Sequence, residues 1–290
     1  MKKKIAVASG KGGTGKTTVS VNLFHFLNKL TEQKIKLVDC DVEEPNDLLF
    51  FPEAKCTNEK TVHQMIPEID QSKCTYCRKC AEYCEYNAIT VIPKLKHAEV
   101  TSSLCHSCGA CSVACEYGAI TEHPVEVGVI KSFVNDKHPD GEIIEGRLKV
   151  GSAMQTLMIK ETKKSVQDAE LMLVDAPPGT SCPVVESVAD TDYVVLVTEP
   201  TPFGLHDLKL MVDLLADIKK PFGVIINKAG LGNNETHHYI EKNNIELLGE
   251  IPFTRAYASK YAGGNLLNDI PADIENTYRE IVSTLLKKLN

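Results

Sequence analysis

The chain has 290 residues, of which 43% are hydrophobic and 24% charged, with a formal net charge of -7 at pH 7. That is the composition of an ordinary soluble globular protein with room for one large domain and a small insert. No apolar run approaches the ~18 to 20 residues that span a bilayer, and the acidic balance, with no long basic stretch, gives no electrostatic footprint for nucleic acid. Met1 to Lys4 lead straight into a strand without an apolar signal core, so the expected compartment is the cytoplasm.

Ile5-Ala-Val-Ala-Ser9 reads as a buried strand, and Gly10-Lys-Gly-Gly-Thr-Gly-Lys-Thr-Thr18 follows it. The pattern G-x4-G-K-[ST] is met by Gly10, Gly15, Lys16 and Thr17. Glycines let the backbone bend so that successive N–H groups and a helix N-terminus point at phosphate oxygens. The expected cradle is Gly10, Lys11, Gly12, Gly13, Thr14, Gly15, Lys16, Thr17 and Thr18, with Lys16 on the β- and γ-phosphates and the Thr17 hydroxyl on Mg2+. Val19, Leu23, Phe26, Leu27 and Leu30 then recur on one face of a helix.

Lys11, a second lysine at the start of the loop, makes this segment resemble the deviant phosphate loop of the MinD and Mrp branch of P-loop ATPases, which includes the nitrogenase iron protein. The resemblance implies that Lys11 reaches a phosphate bound by the facing subunit, so that ATP holds together a homodimer; the plainer alternative is a solvated loop lysine. Ile35 to Asp41 end a strand in two acids and resemble the family's first switch. There Asp41 would orient the attacking water and Asp39 would support it. Lys11, Lys16 and Asp41 are thus the implied catalytic residues.

Next come two cysteine runs, Cys74-x2-Cys77-x2-Cys80-x3-Cys84 and Cys105-x2-Cys108-x2-Cys111-x3-Cys115. Each has the spacing in which three thiolates cap one [4Fe-4S] cube and the fourth reaches the other cube. Glu85-Tyr-Asn-Ala-Ile-Thr90 returns as Glu116-Tyr-Gly-Ala-Ile-Thr121, so the segment is an internal duplication. An oxidising compartment could pair these thiols as disulfides, but the spacing and the rest of the chain favour metal. Residues 70 to 125 resemble bacterial two-cluster ferredoxins. The cross-ligation rule then gives one cluster to Cys74, Cys77, Cys80 and Cys115, and the other to Cys84, Cys105, Cys108 and Cys111. Glu85 and Glu116 stand where those ferredoxins carry proline. They could lower the cluster potentials or simply face water.

Residues 127–134 and 142–150 flank His138-Pro-Asp-Gly141 and read as a hairpin turning at that segment. Leu171 to Asp175 form another buried strand ending in an acid. Asp175 resembles the family's magnesium-binding aspartate, and Gly179 the hinge of its second switch. Tyr193–Thr198 and Phe222–Asn227 add strands with a helix between them. Asn227 and Lys228 resemble the base-recognition position, and Pro252-Phe253 the loop over adenine. Cys182 reads as structural or as a metal contact in the dimer, Cys40 as a small buried hydrophobe, Cys56 as linker, and His237-His238 as solvated surface. The final helix, with Ile274, Tyr278, Ile281, Val282, Leu285 and Leu289 on one face, is expected to pack on the sheet; a membrane anchor would look similar.

The expected fold is α/β: a P-loop NTPase with a mostly parallel sheet wound on both faces, plus a small inserted α+β ferredoxin-type domain. The expected divisions are 1–58, ATPase; 59–125, linker and two-cluster insert; 126–149, return hairpin; and 150–290, ATPase. The implied function is an ATP- and Mg2+-dependent homodimer whose nucleotide state controls electron transfer through two [4Fe-4S] clusters to a redox partner protein. The alternative is an ATP-dependent iron-sulfur or metallocofactor assembly or carrier factor resembling Mrp. A third reading, spatial positioning on a membrane, would require the last helix to bind lipid.

Overall fold

A computed structural model describes residues 3–289. Met1 and Lys2, the first part of the charged start discussed above, lie outside them. In chain order the elements are β1 (Lys3–Ala8), α1 (Lys16–Leu30), β2 (Ile35–Asp39), β3 (Lys55–Ile69), α2 (Lys79–Glu82), β4 (Ile89–Ile92), β5 (His97–Val100), α3 (Ala110–Ala114), β6 (Ile120–Asn135) and β7 (His138–Leu148). There follow α4 (Gln155–Ser165), β8 (Leu171–Asp175), α5 (Cys182–Val188), β9 (Tyr193–Thr198), α6 (Pro202–Asp217), β10 (Phe222–Ala229), α7 (Glu235–Lys242), β11 (Leu247–Pro252), α8 (Arg255–Ala262) and α9 (Ala272–Leu289).

The main sheet has the order β11-β10-β9-β1-β8-β2-β7-β6-β3. From β11 through β7 every neighbouring pair is parallel. Parallel strands covered on both faces are apolar on both, and β8 and β9 are buried at every residue. Register aligns Asp175 with both Val7 and Asp39. Two acids therefore end neighbouring strands at the edge where the phosphate loop leaves β1, the edge at which open α/β sheets bind ligands.

The chain divides into two compact units. The first comprises residues 1–60, 130–147 and 155–290, and the second 61–129 and 148–154. In the first unit, α1 and α9 share one core with the sheet, and the Phe26 and Tyr278 rings stack with centroids 5.6 Å apart. All six apolar residues singled out on the last helix are buried there, covered by α1 and β11. Leu30, at the end of the α1 stripe, is 40% exposed. No helix among the described residues is long and apolar enough to cross a membrane.

The expected turn at His138-Pro-Asp-Gly141 is not where the chain reverses. Asp136 and Lys137 form the turn, and the Lys137 N–H donates to Asn135 Oδ1 at 2.8 Å, an Asx turn of the kind that asparagine favours. The residues of His138-Pro-Asp-Gly141 belong to β7. Gly141 is there for space: a Cβ would stand 2.7 Å from both Phe24 Cζ and Asn28 Oδ1 of α1.

In the second unit β4 and β5 form an antiparallel hairpin whose buried Ile89, Val91 and Ala98 pack with Cys111. The duplication extends to backbone conformation. Arg78 and Gly109, which precede the short helices α2 and α3, have φ of 69° and 73°, while Tyr76 and Ser107 have 58° and 53°.

Candidate functional site

The phosphate loop joins β1 to α1, and its shape depends on close approach. Gly15, with φ 91°, caps α1, and a Cβ on it would lie 2.0 Å from Asn227 Nδ2. Asn227 in turn donates to the Thr14 carbonyl at 2.7 Å, so the end of β10 is tied to the middle of the loop. Only glycine admits both the conformation and the contact.

Lys16, Thr17 and Ser20, on the first turns of α1, all converge on Asp175. Lys16 Nζ donates to Asp175 Oδ2 at 2.8 Å, Thr17 Oγ1 to the same oxygen at 3.1 Å, and Ser20 Oγ to Oδ1 at 2.6 Å. Burial disfavours the Lys16 ammonium, but the Asp175 carboxylate against it keeps its pKa above the usual lysine range. Asp39 accepts from the backbone N–H groups of Asp41 at 3.0 Å, Asn46 at 2.8 Å and Asp47 at 3.0 Å, which folds the segment after β2 back onto the strand end. Asp41 itself is half-buried, and burial pushes its pKa up to about 6 despite the attraction of Lys16.

Asp47 is a site residue that sequence reasoning missed. It is fully buried, neither carboxylate oxygen has a hydrogen-bond partner among the described residues, and Asp39, Asp47 and Asp175 each place a carboxylate oxygen within 4.8 Å of the others. Burial, followed by repulsion from Asp175 and Asp39, holds its pKa well above the carboxylate range. Its signal in the sequence was only an Asn-Asp pair in a short loop, a common turn element.

Glu199, just past the end of β9, was also missed. Its carboxylate takes Lys11 Nζ at 2.8 Å on one oxygen and Lys228 Nζ at 3.0 Å on the other, and Lys228 also donates to the Gly13 carbonyl at 2.9 Å. Burial opposes the Glu199 charge, but the two ammonium groups hold its pKa below the usual value. Beside the loop lies a cleft of 290 Å³ that gathers Gly13, Gly15, Thr18, Asn227, Lys228 and Pro252 with Phe253, Tyr257 and Tyr261. Its aromatic walls and few polar groups suit a flat heterocycle.

The second unit holds the cysteines in two cavities. One is lined by Cys74, Cys77, Cys80 and Cys115, and the other by Cys84, Cys105, Cys108 and Cys111. Each takes three sulfurs from one run and the last cysteine of the other. Backbone N–H groups point at sulfur in both: Tyr76 at Cys74 and Ala119 at Cys115 at 3.4 Å, Ser107 at Cys105 at 3.4 Å and Ala88 at Cys84 at 3.3 Å. Burial pushes the Cys80, Cys105 and Cys111 thiols up, and neighbouring cysteine sulfurs add to the shift. Of the remaining cysteines, Cys40 is buried, Cys56 is exposed on β3, and Cys182 is exposed at the start of α5. His238 is exposed as expected, and His237, also at the surface, pairs there with Glu250 of β11.

Residues 5–267 match the sequence family described as the CobQ/CobB/MinD/ParA nucleotide-binding domain. Two uncharacterised proteins of Methanocaldococcus jannaschii are similar to the chain. One is 32% identical over 231 residues, spanning 79% of this chain and 81% of its own, and the other 30% identical over 284 residues, spanning 97% and 96%. An iron-sulfur cluster carrier protein of the same organism is 25% identical over an alignment of 309 residues that spans 100% of this chain and 86% of its own. Among solved structures, the Pyrococcus furiosus cell division ATPase MinD superposes with a TM-score of 0.61 over 99% of both chains at 18% identity. The Pyrococcus horikoshii septum site-determining protein MinD, in complex with Mg-ADP, gives 0.63 over 98% of this chain and 96% of its own, also at 18% identity. At that identity the likeness is one of fold. The phosphate loop on a parallel sheet, the acids at the strand ends and the family match over most of the chain agree: this protein belongs to the CobQ/CobB/MinD/ParA family of P-loop nucleotide-binding proteins.

Proposed function

We propose that the chain is an ATP-hydrolysing iron-sulfur protein, in which the nucleotide state of a homodimer governs electron transfer through two [4Fe-4S] clusters to a partner protein. The observation that carries this reading is the pair of four-cysteine cavities within a chain of this nucleotide-binding family. Four cysteines per cavity, with backbone N–H groups aimed at the sulfurs, make a donor set suited to a cube. Cys74, Cys77, Cys80 and Cys115 would hold one, and Cys84, Cys105, Cys108 and Cys111 the other. Such clusters supply one-electron chemistry. Thiols raised by burial release protons when they ligate metal, so loading is favoured at higher pH.

On the nucleotide side, ATP is the substrate. The loop N–H groups and Lys16 bind its phosphates, and the cleft at Asn227, Lys228 and Pro252 receives the base. Lys16 is then drawn between Asp175 and the phosphates. Three buried carboxylates with one unpartnered member suit a divalent cation, which Thr17 and Asp175 would hold. Bound there, Mg2+ would neutralise charge on the phosphates. Asp41, at the mouth of this acid group, orients the attacking water. Lys11 leaves Glu199 to reach a phosphate across the dimer. Gly179, with φ 96° and open space around it, lets the segment after β8 move.

The carrier or assembly reading is favoured by one observation, the similarity to proteins named iron-sulfur cluster carrier. The two readings separate on cluster retention. Anaerobic purification should yield about eight iron per chain, from two four-iron cubes, that stay bound when an apo-acceptor and MgATP are added. Rapid loss of iron to the acceptor, abolished by Lys16→Ala, would favour delivery instead.

A further inference from the structure

The duplication in the second unit provides an internal comparison. Its two halves agree in ligand spacing and backbone, so their differences isolate what distinguishes one cysteine cavity from the other. Between the second and third cysteines, the first half reads Cys77-Arg78-Lys79-Cys80 and the second Cys108-Gly109-Ala110-Cys111. Arg78 and Lys79 both line the first cavity, and no acidic residue does. Lys79 is paired with Glu116 at 2.5 Å, whereas the Arg78 side chain is exposed and has no partner among the described residues. The second cavity is lined by Glu122 and by neither arginine nor lysine. Glu85, which follows its remote ligand Cys84, has no ion-pair partner among the described residues, unlike Glu116.

Arg78 also occupies a left-handed backbone position, φ 69°, that the other half fills with Gly109 at 73°. A residue with a Cβ is disfavoured there, and such outliers concentrate at functional positions. Burial differs in the same sense as charge. In the second cavity Cys105 and Cys111 are buried, Cys84 half-buried and Cys108 exposed, while in the first Cys74, Cys80 and Cys115 are half-buried and Cys77 exposed. The Tyr86 and His106 rings, both lining the second cavity, stack with centroids 3.8 Å apart, and the counterpart of His106 in the first half is Thr75. The N–H contacts to sulfur, by contrast, match one for one across the halves.

Cluster potential is set by net charge, hydrogen bonds to sulfur and solvent exposure. Backbone hydrogen bonding is balanced here, and charge and exposure act together against the single extra hydroxyl, that of Ser112 on Cys111, whose counterpart is Ala81. Reduction adds a negative charge, which nearby cations favour and which nearby carboxylates and a low-dielectric surrounding disfavour. Resting on the two-cluster reading above, we infer that the two centres are unequal by design: the Cys74/Cys77/Cys80/Cys115 centre has the higher potential, and Arg78 is the residue that sets it apart. A one-electron donor of low potential thus reduces that centre first, taking its core from the 2+ to the 1+ state while the other stays oxidised. An electron entering through the more buried centre comes to rest on the more exposed one.

The test is an anaerobic redox titration of the intact protein with dithionite, followed by EPR at pH 8, where an ordinary histidine is neutral. Wild type should reduce in two separate one-electron waves. Arg78→Gly, which places glycine where its counterpart already has one, should move only the upper wave to lower potential and bring the two together. Arg78→Lys, which keeps the charge, should leave them apart. In the double variant Arg78→Gly/Gly109→Arg the gap should shrink further or invert. A single two-electron wave in wild type, or an Arg78→Gly variant whose upper wave does not move, overturns the inference while about eight iron per chain leaves the two-cluster reading standing. Iron near four or below overturns both.

Discussion

Lys16 and Asp175 are both buried and 2.8 Å apart, so removing either leaves the other as an unpaired charge in a poorly solvated site. Lys16→Ala is therefore expected to cost about 3 kcal/mol in urea unfolding as well as more than roughly 100-fold in ATP hydrolysis, given what positioned phosphate ligands contribute. A variant of wild-type stability would mean that the pair is not as desolvated as described. Asp47 should behave in the opposite way. Its carboxylate has no donor, and Asp47→Asn would offer an amide N–H2 to Asp39 or Asp175. It is expected to raise stability by about 1–2 kcal/mol while weakening Mg2+-dependent hydrolysis, the trade seen where an active site holds strained charge. A fall in the urea midpoint would count against that role. Asp175, Lys16 and Thr17 were legible in the sequence because spacing and strand endings mark them. Asp47 and Glu199 were not, because their parts in the site come from chain segments brought back by folding, and a lone acid in a loop carries no periodic signal.

At the scale of elements, β7 is fixed on α1 by two contacts that the sequence hides. Gly141→Ala would drive a Cβ into Phe24 and Asn28 and should cost about 1–3 kcal/mol, seen as a lower thermal midpoint. His25 Nδ1 and His138 Nε2 lie 2.8 Å apart in a buried bond between the same elements. Burial, assisted by Lys29, lowers their pKa values to about 3 and about 4. Both thus stay neutral when folded and take up protons near pH 6.5 when unfolded. Their contribution is intact above that pH and lost as pH falls towards 4, at up to about 1.4 kcal/mol per pH unit per histidine. Unfolding free energy measured from pH 7 to 5 should fall less steeply in His138→Gln than in wild type, and parallel slopes would refute the assignment. His138 was read as part of a turn because His-Pro-Asp-Gly has turn composition; the competing Asx turn at Asn135 wins. The final helix was easier to read, since its apolar face is continuous, though only the structure distinguishes packing against α1 from a lipid-facing role.

For the molecule as a whole, the parallel sheet was readable from its run of apolar strands alternating with helices, and the grouping of the cysteines into two cavities from the spacing of the repeat. The charge difference within that repeat, Arg78 and Lys79 against Gly109 and Ala110, is written in the sequence, but which cavity those residues line and how burial differs between the cavities appear only in the fold. The proposed dimer places a demand on the phosphate loop. Lys11 sits on Glu199 within its own chain, so a cross-dimer role requires that contact to break when ATP binds. Lys11→Ala is expected to abolish ATP-induced dimerisation in light scattering, and a variant that dimerises normally would contradict that role. The central proposal is that nucleotide governs the clusters. Its most direct measurement is the EPR spectrum of the anaerobically reduced protein, with iron counted on the same sample, with and without MgATP and alongside Lys16→Ala. The expected result is about eight iron per chain and a spectrum that changes with MgATP in wild type but not in the variant. Full iron with spectra indifferent to MgATP would contradict it.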